Sequence, residues 1–297
     1  MPDQNDQAAS LRSANKSLAP EPAFGIKGRK SVCAVSIASG KGGVGKTFVS
    51  VNLAVTMAQT ERKVLLVDAD LGLANADIVL GVKTEFTMQD AIFKGKPIRD
   101  IILKTKYGVD IISASSGSKE MVSLGAARMQ MFIQELLELA AEYDVILFDC
   151  AAGIDSNVTS FLAAAPHSLI VTTPQPTSLM DVYALTKIIY QNGLSNSLGL
   201  VVNMADNDGQ GEAVAATLNS VMSKFLSGKI DLMGVLPSSD RVNAALKRRT
   251  PFVAEWSKDP VSIRFKQLAN KLLRRAGASE DSGLDGESLL KGFISNS

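Results

Sequence analysis

Gly40-Lys41-Gly42-Gly43-Val44-Gly45-Lys46-Thr47 stands directly after an apolar, β-branched run at 32–38 and directly before a helical pattern at 48–58. The string fits G-x-x-x-x-G-K-[ST] in the strand–loop–helix setting that gives this motif its meaning. Its glycines let the loop fold tightly with N–H groups turned inward, and the helix N-terminus adds positive potential. Gly40, Gly42, Gly43, Val44, Gly45, Lys46 and Thr47 are therefore expected to cradle nucleotide phosphates, with Lys46 bridging the terminal phosphates and Thr47 ligating Mg²⁺.

Outward from this loop, apolar runs recur at 64–67, 109–112, 145–148, 169–171, 198–202 and 232–235, separated by stretches long enough for crossover helices. They are continuous runs rather than alternations, which predicts strands buried on both faces. Right-handed βαβ connections then give an α/β fold, a doubly wound and mostly parallel sheet with helices on both faces, in one domain over 31–276. Two of these runs end in carboxylates. Asp68 and Asp70 follow 64–67 at i and i+2, on one side of their strand and at the carboxyl end of the sheet, where doubly wound folds bind ligands. Asp70 is the better placed to position an attacking water and the metal shell, and Asp68 to tie down the loop. Asp149 closes 145–148 and can hold a Mg²⁺-bound water, while the small residues at 150–153 let backbone approach and leave a terminal phosphate.

Of the 297 residues, 46% are hydrophobic, ample for one core, and 31 Lys+Arg oppose 30 Asp+Glu, so no global field gathers DNA or an anionic membrane. Cys33 and Cys150 lie in apolar runs and form no disulfide framework, and a single histidine makes a histidine-based metal site improper to expect. The first 30 residues lack an apolar targeting core and no run of 18 apolar residues occurs, which predicts a cytoplasmic protein. Residues 1–30 read as a mobile arm. Phe265, Leu268, Ala269, Leu272, Leu273 and Ala276 share one helical face under a basic one, read as packing on the sheet. From 277 the composition turns to a flexible linker and a short segment in which Leu289, Leu290, Phe293 and Ile294 share an apolar face.

The doubled lysine, Lys41 with Lys46, resembles the deviant phosphate loop of the MinD/ParA family of dimerising ATPases. The stretches 68–77 (DADLGLANAD) and 149–154 (DCAAGI) are similar to that family's two switch segments, though Cys150 stands where Ser or Thr is usual. The resemblance covers nearly all of 31–277. It implies ATP/ADP with Mg²⁺, catalytic roles for Lys41, Lys46, Asp70 and Asp149, and metal-shell roles for Thr47, Asp70 and Asp149. It also implies a face-to-face homodimer when ATP is bound, in which Lys41 reaches the partner's phosphates. The guanine-reading Asn-Lys-x-Asp string is not found at 201–206, and by resemblance Asn203 meets the adenine edge while the loop at Pro237 closes over the base; Asn203 also reads as a strand-end cap.

Within that family the pattern is most similar to the FlhG/FleN flagellar-number regulators. Asp6-Gln7-Ala8-Ala9-Ser10-Leu11-Arg12 resembles the element by which such proteins engage the GTPase FlhF, with Asp6, Gln7, Leu11 and Arg12 as contact residues. The resemblance implies a slow, dimer-dependent ATP hydrolase that stimulates FlhF and restrains a flagellar transcription activator. Flagellar C-ring components are further candidate partners, and no direct DNA binding is expected. Leu289, Leu290, Phe293 and Ile294 either place the ATP dimer peripherally on the membrane, polar location included, or fold back on the domain. Cargo or division-site positioning of ParA/MinD type, or an ATP-gated adaptor with incidental hydrolysis, are the alternatives.

Overall fold

A computed structural model describes residues 32–114, 117–122, 124–194 and 197–280. The arm element with Asp6, Gln7, Leu11 and Arg12, and the tail with Leu289, Leu290, Phe293 and Ile294, lie outside the described residues.

Eight strands form one sheet: β1 (Cys33–Ser39), β2 (Val64–Ala69), β3 (Leu103–Lys104), β4 (Val109–Ile112), β5 (Val145–Ala152), β6 (His167–Thr172), β7 (Ser197–Ala205) and β8 (Asp231–Pro237). Their order is β3-β4-β2-β5-β1-β6-β7-β8, and every adjacent pair is parallel except the two-residue β3 against β4. The strand carrying the glycine-rich loop, β1, is therefore central, with all seven residues buried. Apolar runs suit this position because both faces are covered. In β2, Leu65 and Val67 join one core, under the helices Ala126–Leu139, Ser156–Ala163 and Pro176–Gln191. Val64 and Leu66 join the other, with the helix Lys46–Ala58 and the last helix, Pro260–Glu280.

Lys46–Ala58 is buried nearly all round, its polar Ser50, Asn52 and Thr56 included, as fits a helix enclosed between the sheet and other helices. Phe48 meets Phe252 and Phe265 edge-on, with ring centroids 6.0 and 5.8 Å apart, an arrangement that the ring quadrupole favours. The buried Asn52 satisfies both ends of its amide, donating to the Phe48 carbonyl at 2.8 Å and accepting from the Val253 N–H at 3.0 Å.

Three expectations differ in detail. β5 does not close before Asp149: pairing continues on both flanks, Asp68↔Asp149 and Ala69↔Cys150 toward β2 and Ser39↔Ala152 toward β1, so Asp149 lies inside the strand. The last helix starts at Pro260, with Asp259 Oδ1 accepting the Val261 N–H, and runs through Gly277 to Glu280, past the boundary read at 276. One glycine in a helix costs only about 1 kcal/mol, and the residues beyond it have ordinary helix propensity. The antiparallel β3 has no signal in the sequence, because two residues give no periodicity. Among the described residues, no helix is long and apolar enough to cross a membrane.

Candidate nucleotide site

The loop 40–45 joins the carboxyl end of central β1 to the first turn of Lys46–Ala58. Gly43 and Gly45 have φ of +81° and +87°, left-handed values that cost a side chain dearly and glycine nothing. Gly40 is required for closeness instead: a Cβ there would fall 2.4 Å from the Asp181 carbonyl carbon, on the helix Pro176–Gln191. Gly45, the N-terminal cap residue, is hemmed in from β7, since a Cβ would fall 2.4 Å from Asn203 Nδ2.

The two lysines diverge. Lys46 is buried, and its ammonium donates to Asp149 Oδ1 at 2.9 Å; the Ser50 hydroxyl, one turn on, donates to the same oxygen at 2.8 Å. Burial alone would pull the Lys46 ammonium down, but the charge and hydrogen bond of Asp149 outweigh it and hold the group above its ordinary value. Lys41 turns out of the loop, donating to Thr177 Oγ1 at 2.9 Å and to Gln175 Oε1 at 3.5 Å at the start of Pro176–Gln191.

Behind Lys46 the carboxylates stand on neighbouring strands. Asp68 is fully buried and accepts the backbone N–H of Asp70 (3.1 Å), Asn75 (2.9 Å) and Ala76 (3.0 Å), so it fastens the loop after β2 to the sheet. Burial first, then the charge of Asp149 in register beside it, pushes the Asp68 carboxyl up to about 7 against the pull of those three donors. Asp70, part-exposed at the mouth, accepts the Leu73 N–H at 3.0 Å and is not brought to Lys46 as Asp149 is. The buried Cys150 thiol is pushed up to about 12, burial being the main cause, so it is an inert packing group.

The second oxygen of Asp149, Oδ2, is buried without a hydrogen-bond partner. Such an orphan points to a missing positive or donating group, and Thr47, Asp70 and Asp149 supply the hard oxygens that suit Mg²⁺. Among the described residues no three His, Cys, Asp or Glu side chains converge as a metal cage. A Mg²⁺ here would depend on substrate phosphates for much of its shell, as this ion commonly does.

Across β1 from the carboxylates, Asn203 Nδ2 donates to the Val44 carbonyl at 2.8 Å, which anchors the loop from β7. Pro237 ends β8 opposite Ala205, and the next N–H, of Ser238, donates to the Ala205 carbonyl at 3.2 Å. Three participants have no motif of their own: Ser50, Thr177 and Gln175. Ser50 follows Lys46 at i+4 and so faces the same way, a spacing that could have exposed it; Thr177 and Gln175 meet Lys41 only through the fold.

A family model described as an AAA domain matches residues 32–200. The antiactivator FleN of Pseudomonas aeruginosa is 37% identical over 238 residues, covering 80% of this chain and 85% of FleN. The flagellum site-determining protein YlxH of Helicobacter pylori is 31% identical over 273 residues, 91% of each chain. The septum site-determining protein MinD of Pyrococcus horikoshii, solved in complex with Mg-ADP, has a TM-score of 0.72 at 27% identity, covering 83% of this chain and 98% of that one.

Proposed function

The chain belongs to the MinD/ParA family of P-loop ATPases, close to FleN and FlhG, and on that premise we propose that it is an ATP-dependent, dimerising switch that limits flagellar number or placement. ATP binding and hydrolysis go with the family. The finer reading is a slow, dimer-dependent hydrolase whose ATP form stimulates an FlhF-type GTPase through residues 6–12, restrains a flagellar transcription activator, and meets the membrane through 289–294.

The observation that carries the switch is the divergence of the two lysines. Lys46 holds its charge at the inner end of the loop, where an arriving terminal phosphate competes with Asp149 for the same ammonium. Lys41 is held outside, on Thr177 and Gln175, where a second subunit can present its own nucleotide. Asp149, once Lys46 turns to phosphate, is left as a buried carboxylate that needs a new partner; Asp70 sits at the mouth to orient water; Asp68 keeps the intervening loop in register with both. Mg²⁺, held by Thr47 with Asp70 or Asp149 behind it, would neutralise charge developing on the phosphates.

The alternative of cargo positioning of ParA type, which would need a basic surface for DNA, gains little from the exposed Lys247, Arg248 and Arg249. Arg248 pairs with Glu255 and stacks on Trp256, and the three sit in the last turn and cap of a helix, where cations are favoured anyway. Sedimentation velocity tests the reading: dimer with Mg·ATP, monomer with Mg·ADP, and no dimer in Lys41→Ala although that variant still binds ATP. A dimer persisting in Lys41→Ala would refute the role in trans. FlhF GTPase assayed with the full chain and with a chain lacking residues 6–12 tests the arm, equal rates overturning it.

A further inference from the structure

Two donors converge on Asp149 Oδ1, and they differ in freedom. The Lys46 ammonium ends a long side chain, whereas the Ser50 hydroxyl is bonded directly to its Cβ, on a helical turn held from both sides. Before Ser50, Phe48 packs edge-on against Phe252 and Phe265; after it, Asn52 accepts the Val253 N–H. Ser50 itself is wholly buried, so solvent does not compete for its hydroxyl.

A serine inside a helix ordinarily returns its hydroxyl to the carbonyl four residues back. Here that carbonyl belongs to Lys46, 3.1 Å away, and Asp149 Oδ1 is nearer at 2.8 Å. One hydroxyl carries one proton, and an ionised acceptor makes the stronger hydrogen bond, so the proton goes to Asp149.

Resting on the nucleotide reading above, we propose that Ser50 is the positioning residue for the exchange at Lys46: it holds the Asp149 carboxylate through Oδ1 while the ammonium passes to a terminal phosphate. Without that hydroxyl, each departure of Lys46 strands a buried carboxylate whose Oδ2 already lacks a hydrogen-bond partner. With it, Asp149 keeps one donor and one orientation throughout. Ser50 acts through Asp149 and makes no contact with phosphate in this role, which separates it from Lys46 and Thr47.

The test is isothermal titration of Mg·ATP into the full chain and into Ser50→Ala, Ser50→Thr, Asp149→Asn and the double variant Ser50→Ala with Asp149→Asn. Affinity should fall about tenfold in Ser50→Ala, the lower end for a hydrogen bond to a charged group, and stay within about threefold of the parent in Ser50→Thr, which keeps the hydroxyl. In the Asp149→Asn background no buried charge is stranded, and Ser50→Ala should change affinity by less than about twofold. A hydroxyl that only braced the helix would cost the same in both backgrounds. That result, or unchanged affinity in Ser50→Ala, would overturn the assignment while leaving the nucleotide reading intact. A parent chain that does not bind Mg·ATP would remove that reading, and this inference with it.

Discussion

Replacing Lys46 with methionine should destabilise the nucleotide-free protein severely, beyond its effect on phosphate binding. Asp149 is fully buried, its Oδ2 has no hydrogen-bond partner, and Asp68 stands in register on the next strand. Without the ammonium on Oδ1, only the Ser50 hydroxyl remains to that carboxylate. Removing one partner of a buried ion pair costs about 3–5 kcal/mol, because the other charge is left in a medium that cannot solvate it. The cheapest relief is for the buried carboxylates to take up one more proton than they hold beside an intact Lys46. Protonating an ordinary carboxylate of pKa about 3.9 at pH 7.5 costs about 5 kcal/mol, at 1.36 kcal/mol per unit, which caps the penalty. At pH 5.5 the same arithmetic gives about 2 kcal/mol. Urea unfolding should therefore show Lys46→Met losing about 3–5 kcal/mol at pH 7.5 and markedly less at pH 5.5, equivalent to about 6–20 °C in midpoint at the higher pH for a domain of this size. The double variant Lys46→Met with Asp149→Asn should recover most of the loss at pH 7.5, since no buried charge remains. A single variant within about 1 kcal/mol of the parent, a loss independent of pH, or a double variant no better than the single would refute the reasoning.

Asp70→Ala should bind Mg·ATP yet hydrolyse it at least about 100-fold more slowly and accumulate dimer, because water positioning is lost while Lys46 remains; parental turnover would move that role to Asp149. Thr177→Val removes the closer acceptor of the Lys41 ammonium and should tighten ATP-dependent dimerisation a few-fold, as befits an exposed hydrogen bond worth about 0.5–1 kcal/mol; weaker dimers in sedimentation equilibrium would show instead that Thr177 serves the interface. Burial first and then Arg275 hold the His167 imidazole down at about 4, so between pH 6.5 and 4 the unfolded chain binds the proton that the folded chain refuses, and stability falls on acidification. The raised Asp68 carboxyl acts oppositely from about 4 to 7, so the His167 contribution is read as the difference between parent and His167→Gln unfolding curves, which should shrink toward pH 7; a constant difference would exclude it.

The layout of the sheet was legible because parallel, doubly covered strands have to be apolar along their whole length. Of the seven strands expected, each falls within or against an observed one, and 109–112 coincides with β4. What pattern did not carry was the continuation of strands into polar residues. Hydropathy ends β2 at Val67 and β5 at Phe148, whereas hydrogen bonding carries both on through Asp68 and Asp149, since a backbone ladder is indifferent to the side chains it bears. Polarity at the end of an apolar run therefore marked the residue that meets Lys46 but not its depth: Asp149 is a buried strand residue, not a loop residue at the rim.

The same distinction separates the parts of the site that could be read from those that could not. Lys46 and Gly45 are specified within eight consecutive residues, because a tight phosphate loop is a local structure with a local solution. The resting partners of both lysines are not local. Asp149 is 103 residues from Lys46, and Thr177 is 136 from Lys41; only the order β5-β1-β6 brings their elements to either side of the loop. That order also explains why the lysines part company. The strand to one side of β1 presents a buried carboxylate to the inner lysine, and the helix after the strand to the other side presents hydroxyl and amide to the outer one. Two lysines in one loop thus rest in opposite directions, one as a buried counter-ion inside the domain and one as a polar arm on its surface.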